Sequence, residues 1–97
     1  MLPKLSDQDR TWYILKGYEI QEYSSVRFWY LNGKLHREDG PAIEYADGSR
    51  QWWINGKLHR EDGPAVIYPT GIREWWFNGK LASNELTCTK YFDISKH

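Results

Sequence analysis

Cysteine is nearly absent from this 97-residue chain: Cys88 is the only one, so no intrachain disulfide can brace it. Secreted domains of this size commonly depend on disulfides, and a reducing, cytoplasmic setting is expected instead. Long apolar runs are missing too. Nothing approaches the roughly 20 consecutive apolar residues that span a bilayer. The opening Met1-Leu2-Pro3-Lys4-Leu5-Ser6-Asp7 has no apolar core of a signal peptide, so a soluble protein without membrane insertion is expected. Charge of one sign is also lacking, because 13 basic residues balance 13 acidic ones. Non-specific nucleic-acid binding relies on clustered cations that release counterions, and a polybasic groove is not to be found here. The length suits one domain, residues 1–97, near the lower end of what buries a large core.

What the chain has in excess is aromatic surface: six Trp and seven Tyr. Such residues fill cores, and they are also enriched where proteins bind one another. Their placement follows an internal repeat. Trp29-Tyr30-Leu31-Asn32-Gly33-Lys34-Leu35 returns as Trp52-Trp53-Ile54-Asn55-Gly56-Lys57-Leu58, and again as Trp75-Trp76-Phe77-Asn78-Gly79-Lys80-Leu81. Between the first two copies, identity runs on through His36-Arg37-Glu38-Asp39-Gly40-Pro41-Ala42 and its match His59 to Ala65. The period is 23 residues throughout.

Each unit reads as strand, turn, strand, since Asn-Gly between apolar residues is a strong hairpin signal. Asp47-Gly48 and Thr70-Gly71 supply the alternate turns. An all-β fold is therefore expected, an antiparallel meander of repeated hairpins in a single elongated sheet. Residues 27–81 form the repeats. Residues 1–26 read as a degenerate N-terminal cap hairpin, with Trp12-Tyr13-Ile14-Leu15-Lys16-Gly17 as a worn first unit. Residues 82–97 form a C-terminal cap, where Ser83-Asn84-Glu85-Leu86 can start a short helix. The Asp-Gly-Pro-Ala stretch should bend the ladder, because proline has no N–H to donate.

Two-residue loops at both turns would place Tyr45 opposite Arg50 and Ile43 opposite Trp52. One face then carries Trp29, Tyr45, Arg50, Trp52, Tyr68, Arg73 and Trp75, a Trp–Tyr–Arg surface suited to a partner. The column of Trp53 and Trp76 reads as stacked core.

Residues Trp53 to Gly71 and their copies resemble the MORN repeat family, which shares the Trp-x-Asn-Gly-Lys-x-His pattern, a later second turn ending in Gly, and the 23-residue period. The resemblance covers about Arg27 to Leu81. It implies an elongated sheet of hairpins and a role in protein–protein or membrane-linked scaffolding. Arg37 and Arg60 stand where the family has Gly, and Ser49-Arg50-Gln51 replaces its Tyr-x-Gly. The His-Arg-Glu-Asp-Gly-Pro-Ala variant is similar to repeats in small proteins of phages and large viruses, which implies inhibition of a host protein, such as a defence-system component, in the host cytoplasm.

Chemistry has little to work with. His36, Glu38 and Asp39 recur as His59, Glu61 and Asp62, but equivalent residues two strands apart are about 10 Å distant, too far for the two His to share one metal ion. Asp39 and Asp62 are expected to hold backbone N–H groups of the bend, with His36 and His59 stacked on Trp29 and Trp52. No nucleophile, base and orienting group form an asymmetric set, and no phosphate-binding Gly-rich loop is present. The expectation is a non-enzymatic protein-interaction module without metal or cofactor, binding another protein through Trp29, Trp52, Trp75, Tyr45, Tyr68, Arg50 and Arg73. The competing readings are a homo-oligomeric scaffold, with a homodimer as its simplest form, and, ranked lower, a platform that stacks single-stranded nucleic acid.

Overall fold

The computed structural model describes residues 2–84. Its Asn-Gly turns behave as their chemistry demands. Asn32, Asn55 and Asn78 sit at φ 53°, 50° and 49°, the left-handed region that a type I′ turn requires. Each turn closes a two-residue hairpin. The hairpins join β2 (Val26–Leu31) to β3 (Lys34–Leu35), β6 (Trp53–Ile54) to β7 (Lys57–Leu58), and β9 (Arg73–Phe77) to β10 (Lys80–Asn84). Trp53 faces Leu58 and Ile54 faces Lys57, the register expected of such a loop.

The alternate turns are three residues long, not two. Tyr45 N–H donates to Ser49 O at 3.0 Å and Gly48 N–H to Tyr45 O at 3.1 Å, leaving Ala46, Asp47 and Gly48 in the loop. Gly48 takes φ 94°, a conformation that a Cβ would strain, and it completes a type I turn with a glycine bulge. Tyr68 and Ile72 close Pro69-Thr70-Gly71 in the same way. The extra residue shifts the register. In β4 (Ile43–Tyr45) and β5 (Arg50–Gln51), Glu44 rather than Tyr45 opposes Arg50, and Gln51 rather than Trp52 opposes Ile43. A slip of one residue moves a strand's side chains to the opposite face. The expected Trp–Tyr–Arg surface is thereby divided: Trp29, Arg50, Trp52, Arg73 and Trp75 share a face with Glu44, while Tyr45 and Tyr68 lie on the other.

The main sheet runs in the order β1 (Tyr18–Glu22), β2, β4, β5, β8 (Val66–Ile67), β9, β10, with β3 beside β2, while β6 and β7 form a separate two-stranded ribbon. All pairings are antiparallel, and the architecture is the expected meander. A ladder of opposed charges crosses its first strands, Glu22 to Arg27 to Glu44 to Arg50. Arg27 is buried, and it bonds to Glu22 Oε2 at 2.9 Å, to Glu44 Oε1 at 3.1 Å and to the Pro3 carbonyl.

The N-terminal stretch expected as a strand and turn is a helix, α1 (Asp7–Leu15). The residues upstream of it decide this. Ser6 is the N-cap, its hydroxyl accepting from the Asp9 N–H at 3.0 Å, and Asp7 and Asp9 place negative charge in the first turn, where the helix dipole favours it. Trp12 to Leu15 are apolar enough for a strand, but they follow a strong cap. The cap hairpin exists further along, between β1 and β2.

At the other end, Ser83 and Asn84 belong to β10, with a bulge between Leu81 and Ser83. The remainder of the expected C-terminal helix lies outside the described residues. Among those described, no helix is long and apolar enough to cross a membrane.

One layer of sheet has little interior, and the core gathers where α1 covers it. Tyr13, Trp29 and Ala42 are buried there, packed with Leu5, Tyr18, Ile20 and Trp53. Trp29 is 0% exposed.

Candidate functional site

The His-Arg-Glu-Asp-Gly-Pro-Ala stretch builds a cradle for its own arginine. Arg37 lies over Trp29, its Cζ 3.8 Å from the ring centroid. Its Nε donates to Asp39 Oδ1 at 3.0 Å and its Nη1 to the Pro41 carbonyl at 3.2 Å. The next copy repeats this within a tenth of an ångström: Arg60 over Trp52 at 3.9 Å, Nε to Asp62 at 3.0 Å, and Nη1 to Pro64 O at 3.1 Å. Glycine between Asp and Pro lets the chain pass close under the guanidinium. A Cβ on Gly40 or Gly63 would stand 2.9 Å from the Arg37 or Arg60 Cζ. Arginine thus takes the place over Trp29 and Trp52 that had been expected of His36 and His59. The carboxylates of Asp39 and Asp62 clamp that arginine.

The histidines tie one unit to the next. His36 Nδ1 accepts from the Asn55 N–H at 2.9 Å, and His59 Nδ1 accepts from the Asn78 N–H at 3.0 Å. Their Nε2 atoms face Glu38 and Glu61 at 3.0 and 3.2 Å. An accepting Nδ1 assigns the proton to Nε2, which donates to the glutamate. Each histidine therefore holds the Asn-Gly turn that follows it.

The two cradles differ in what covers them. Over the first lies Tyr13 of α1, its ring 4.4 Å from that of Trp29 at 70°. The Tyr13 hydroxyl donates to Asp39 Oδ2 at 2.6 Å and accepts from Arg37 Nη2 at 3.2 Å. Nothing among the described residues plays this part for the second cradle. The Asp side chain is 50% exposed in the first copy and 87% in the second, and the Arg side chain 12% and 25%. An open cavity of about 760 Å³ lies here, with Trp52 at its floor and residues 36–40 and 59–62 at its walls. Four carboxylates, those of Glu38, Asp39, Glu61 and Asp62, line it against two guanidiniums.

Charge and burial set a pH window for the closed cradle. Burial raises the Asp39 carboxyl, but hydrogen bonds from Tyr13 and Arg37 outweigh it and hold the group below its ordinary value. A depressed carboxyl stabilises the fold above its unfolded value of about 3.9, and that contribution is lost as pH falls through the folded value. Tyr13 is raised, first by burial and then by its bond to Asp39. Its contribution is present below about pH 10 and is lost as pH rises through the folded value. Near-ultraviolet circular dichroism of the Tyr13–Trp29 contact should therefore be flat between about pH 4 and 10 and decline on both sides. Asp39→Asn should shrink the acid limb. An unchanged acid limb in that variant would assign it to other carboxylates, such as Glu22.

The seven residues expected to bind a partner do not form one patch. Trp29 is core beneath α1 and presents no surface. Trp52 is half-buried at the cavity floor, with Arg50 5.8 Å from its ring. Arg73 stands 5.5 Å from the half-buried Trp75. On the other face Tyr45 is half-buried, and Tyr68 is exposed, its hydroxyl donating to Glu74 at 3.0 Å. Sequence reading missed Arg37, Arg60, Asp39, Asp62 and Tyr13 as parts of the cradles. The signal was present in the identical Arg-Glu-Asp-Gly-Pro eight residues after Trp29 and after Trp52. Among the described residues, no three His, Cys, Asp or Glu side chains come close enough to hold a metal ion. Compared with protein-family models, with curated proteins and with solved structures, the chain matches none.

Proposed function

We propose that this chain is a non-enzymatic protein-interaction module whose contact surface is the open cradle of the second repeat. The observation that carries the reading is that an aromatic floor, Trp52, lies under a fixed arginine in a cavity that the protein's own helix leaves uncovered. Aromatic and arginine side chains in a preformed pocket are those that most often dominate interface energies. The four carboxylates at the walls oppose a phosphate backbone, which argues for protein over nucleic acid. The narrower role, a phage or viral inhibitor acting on a host protein in the host cytoplasm, is supported by the repeat resemblance alone.

The test is affinity capture of the tagged chain from a lysate of its native host, read by mass spectrometry. A stoichiometric protein should be captured by the wild type and by Tyr68→Ser, which alters the opposite face, and be lost with Arg60→Ala. Loss with Tyr68→Ser and retention with Arg60→Ala would move the contact to the other face. Self-association is favoured by a different observation, the exposed Trp12, Ile14 and Leu15 of α1. Light scattering at two concentrations separates it from binding of a foreign partner.

A further inference from the structure

The first cradle shows what the second is shaped to hold. We infer that the open cradle of Trp52, Arg60 and Asp62 binds a tyrosine presented on a short helix of a partner protein, in the manner of Tyr13 on α1. This rests on the protein-binding reading above and names the chemistry of the partner.

Three observations support it. The two cradles are the same to within a tenth of an ångström at every shared contact, so the second takes this shape with no occupant among the described residues, and binding need not organise it. The atoms that Tyr13 engages in the first copy are the Asp Oδ2 and the Arg Nη2. In the second copy these atoms of Asp62 and Arg60 have no partner among the described residues. They form an acceptor beside a donor, which a phenol hydroxyl satisfies together by donating to one and accepting from the other. A phenylalanine ring would cover Trp52 and leave both unmet. A carboxylate would satisfy the arginine and be repelled by Asp62.

The cavity also continues from an interface that the protein already makes. Asp39 holds Tyr13 through Oδ2 and is part of the wall on that side. Adjacent units are about 10 Å apart, close to the spacing of packed helices, so a second helix can lie beside α1 without displacing it. Four wall carboxylates against two arginines exclude a strongly acidic segment, so the occupant carries neutral or basic flanks.

The probe is a lactam-stapled peptide with the sequence of residues 5–17, titrated into the full isotope-labelled chain and followed by NMR. Saturable binding should shift the Trp52 indole and Arg60 Nε–H signals while the Trp29 indole stays in place. Replacing the peptide's tyrosine by phenylalanine, or Arg60 by Ala in the protein, should each weaken binding about tenfold.

Several results would overturn the inference. Equal binding of the phenylalanine peptide would leave a protein-binding groove with no preference for tyrosine. Shifts at Trp29 instead would mean that the peptide exchanges with α1. No binding at about 1 mM peptide would remove the tyrosine preference, while the Arg60-dependent capture would still judge the protein-binding reading separately. Movement of the Trp52 signal on Tyr91→Ala without peptide would make the chain's own C-terminal segment the occupant. Movement on simple dilution would make it a second copy.

Discussion

Trp29→Ala should cost about 3–5 kcal/mol of unfolding free energy, and Trp52→Ala, the same change one repeat later, about 1–2 kcal/mol. Trp29 is fully buried and packs against Tyr13, Tyr18 and the guanidinium of Arg37. Its indole N–H also donates to Glu44 at 3.2 Å. Truncation empties the centre of the core, removes the surface on which α1 rests, and leaves Arg37 without its platform. Trp52 is half-buried and carries no helix among the described residues, so its loss exposes less and releases less. Small domains have about 5–15 kcal/mol in total, so the first variant should melt at a far lower urea concentration or fail to fold, while the second remains folded with its cradle lost. Urea titration followed by far-ultraviolet circular dichroism measures both. Equal losses would mean that α1 adds nothing to the packing of the first repeat.

Arg27→Met should cost about 3 kcal/mol, the lower end of what breaking a buried ion pair takes. Arg27 is 5% exposed and stands between Glu22 and Glu44 on neighbouring strands. It also bonds to the Pro3 carbonyl, and Glu22 is further paired with Arg10 of α1. Methionine keeps the apolar stem but leaves two carboxylates facing each other across an apolar gap. Both are partly exposed, so water can relieve part of the penalty. Arg27→Met with Glu44→Gln should recover part of the loss, since one of the two facing charges is then gone. A double variant no better than the single would assign the effect to packing alone.

Much of the architecture was legible in the residues. The Asn-Gly turns announced their hairpins, and the 23-residue period announced the meander. The errors share one physical origin, the short range over which a local pattern can be read. Asp47-Gly48 and Asn55-Gly56 look alike as dipeptides, yet one closes a three-residue loop and the other a two-residue loop. That single residue decides whether Tyr45 joins Arg50 or lies behind it. Trp12 to Leu15 would suit a strand, and only the cap at Ser6 with its acidic first turn makes them helical.

The cradle was harder still. The repeated Arg-Glu-Asp-Gly-Pro eight residues after each Trp marks the segment, but the linear pattern does not say that its arginine folds back over that tryptophan. The close approach of Gly40 to the Arg37 guanidinium becomes visible only in three dimensions. The histidines do leave a trace. His36 and His59 each have an Asn-Gly turn 19 residues downstream to hold. In the third copy the corresponding position is Ala82.

Those histidine links reach only from one unit to its neighbour, which makes copy number a heritable quantity in its own right. The Asn55-Gly56 and Asn78-Gly79 turns are fastened by the unit just before them, through His36 and His59 and through the Leu35 and Leu58 carbonyls. Neither end of the array needs information from the other. Misaligned recombination between the near-identical stretches would therefore add or delete one 23-residue block in frame, with every junction already matched. Each block gained brings one more uncovered arginine cradle, while the helix at the front can close only one. If the cradles bind partners as proposed, a lineage could change how many are held at once by altering its length, without having to invent a new surface.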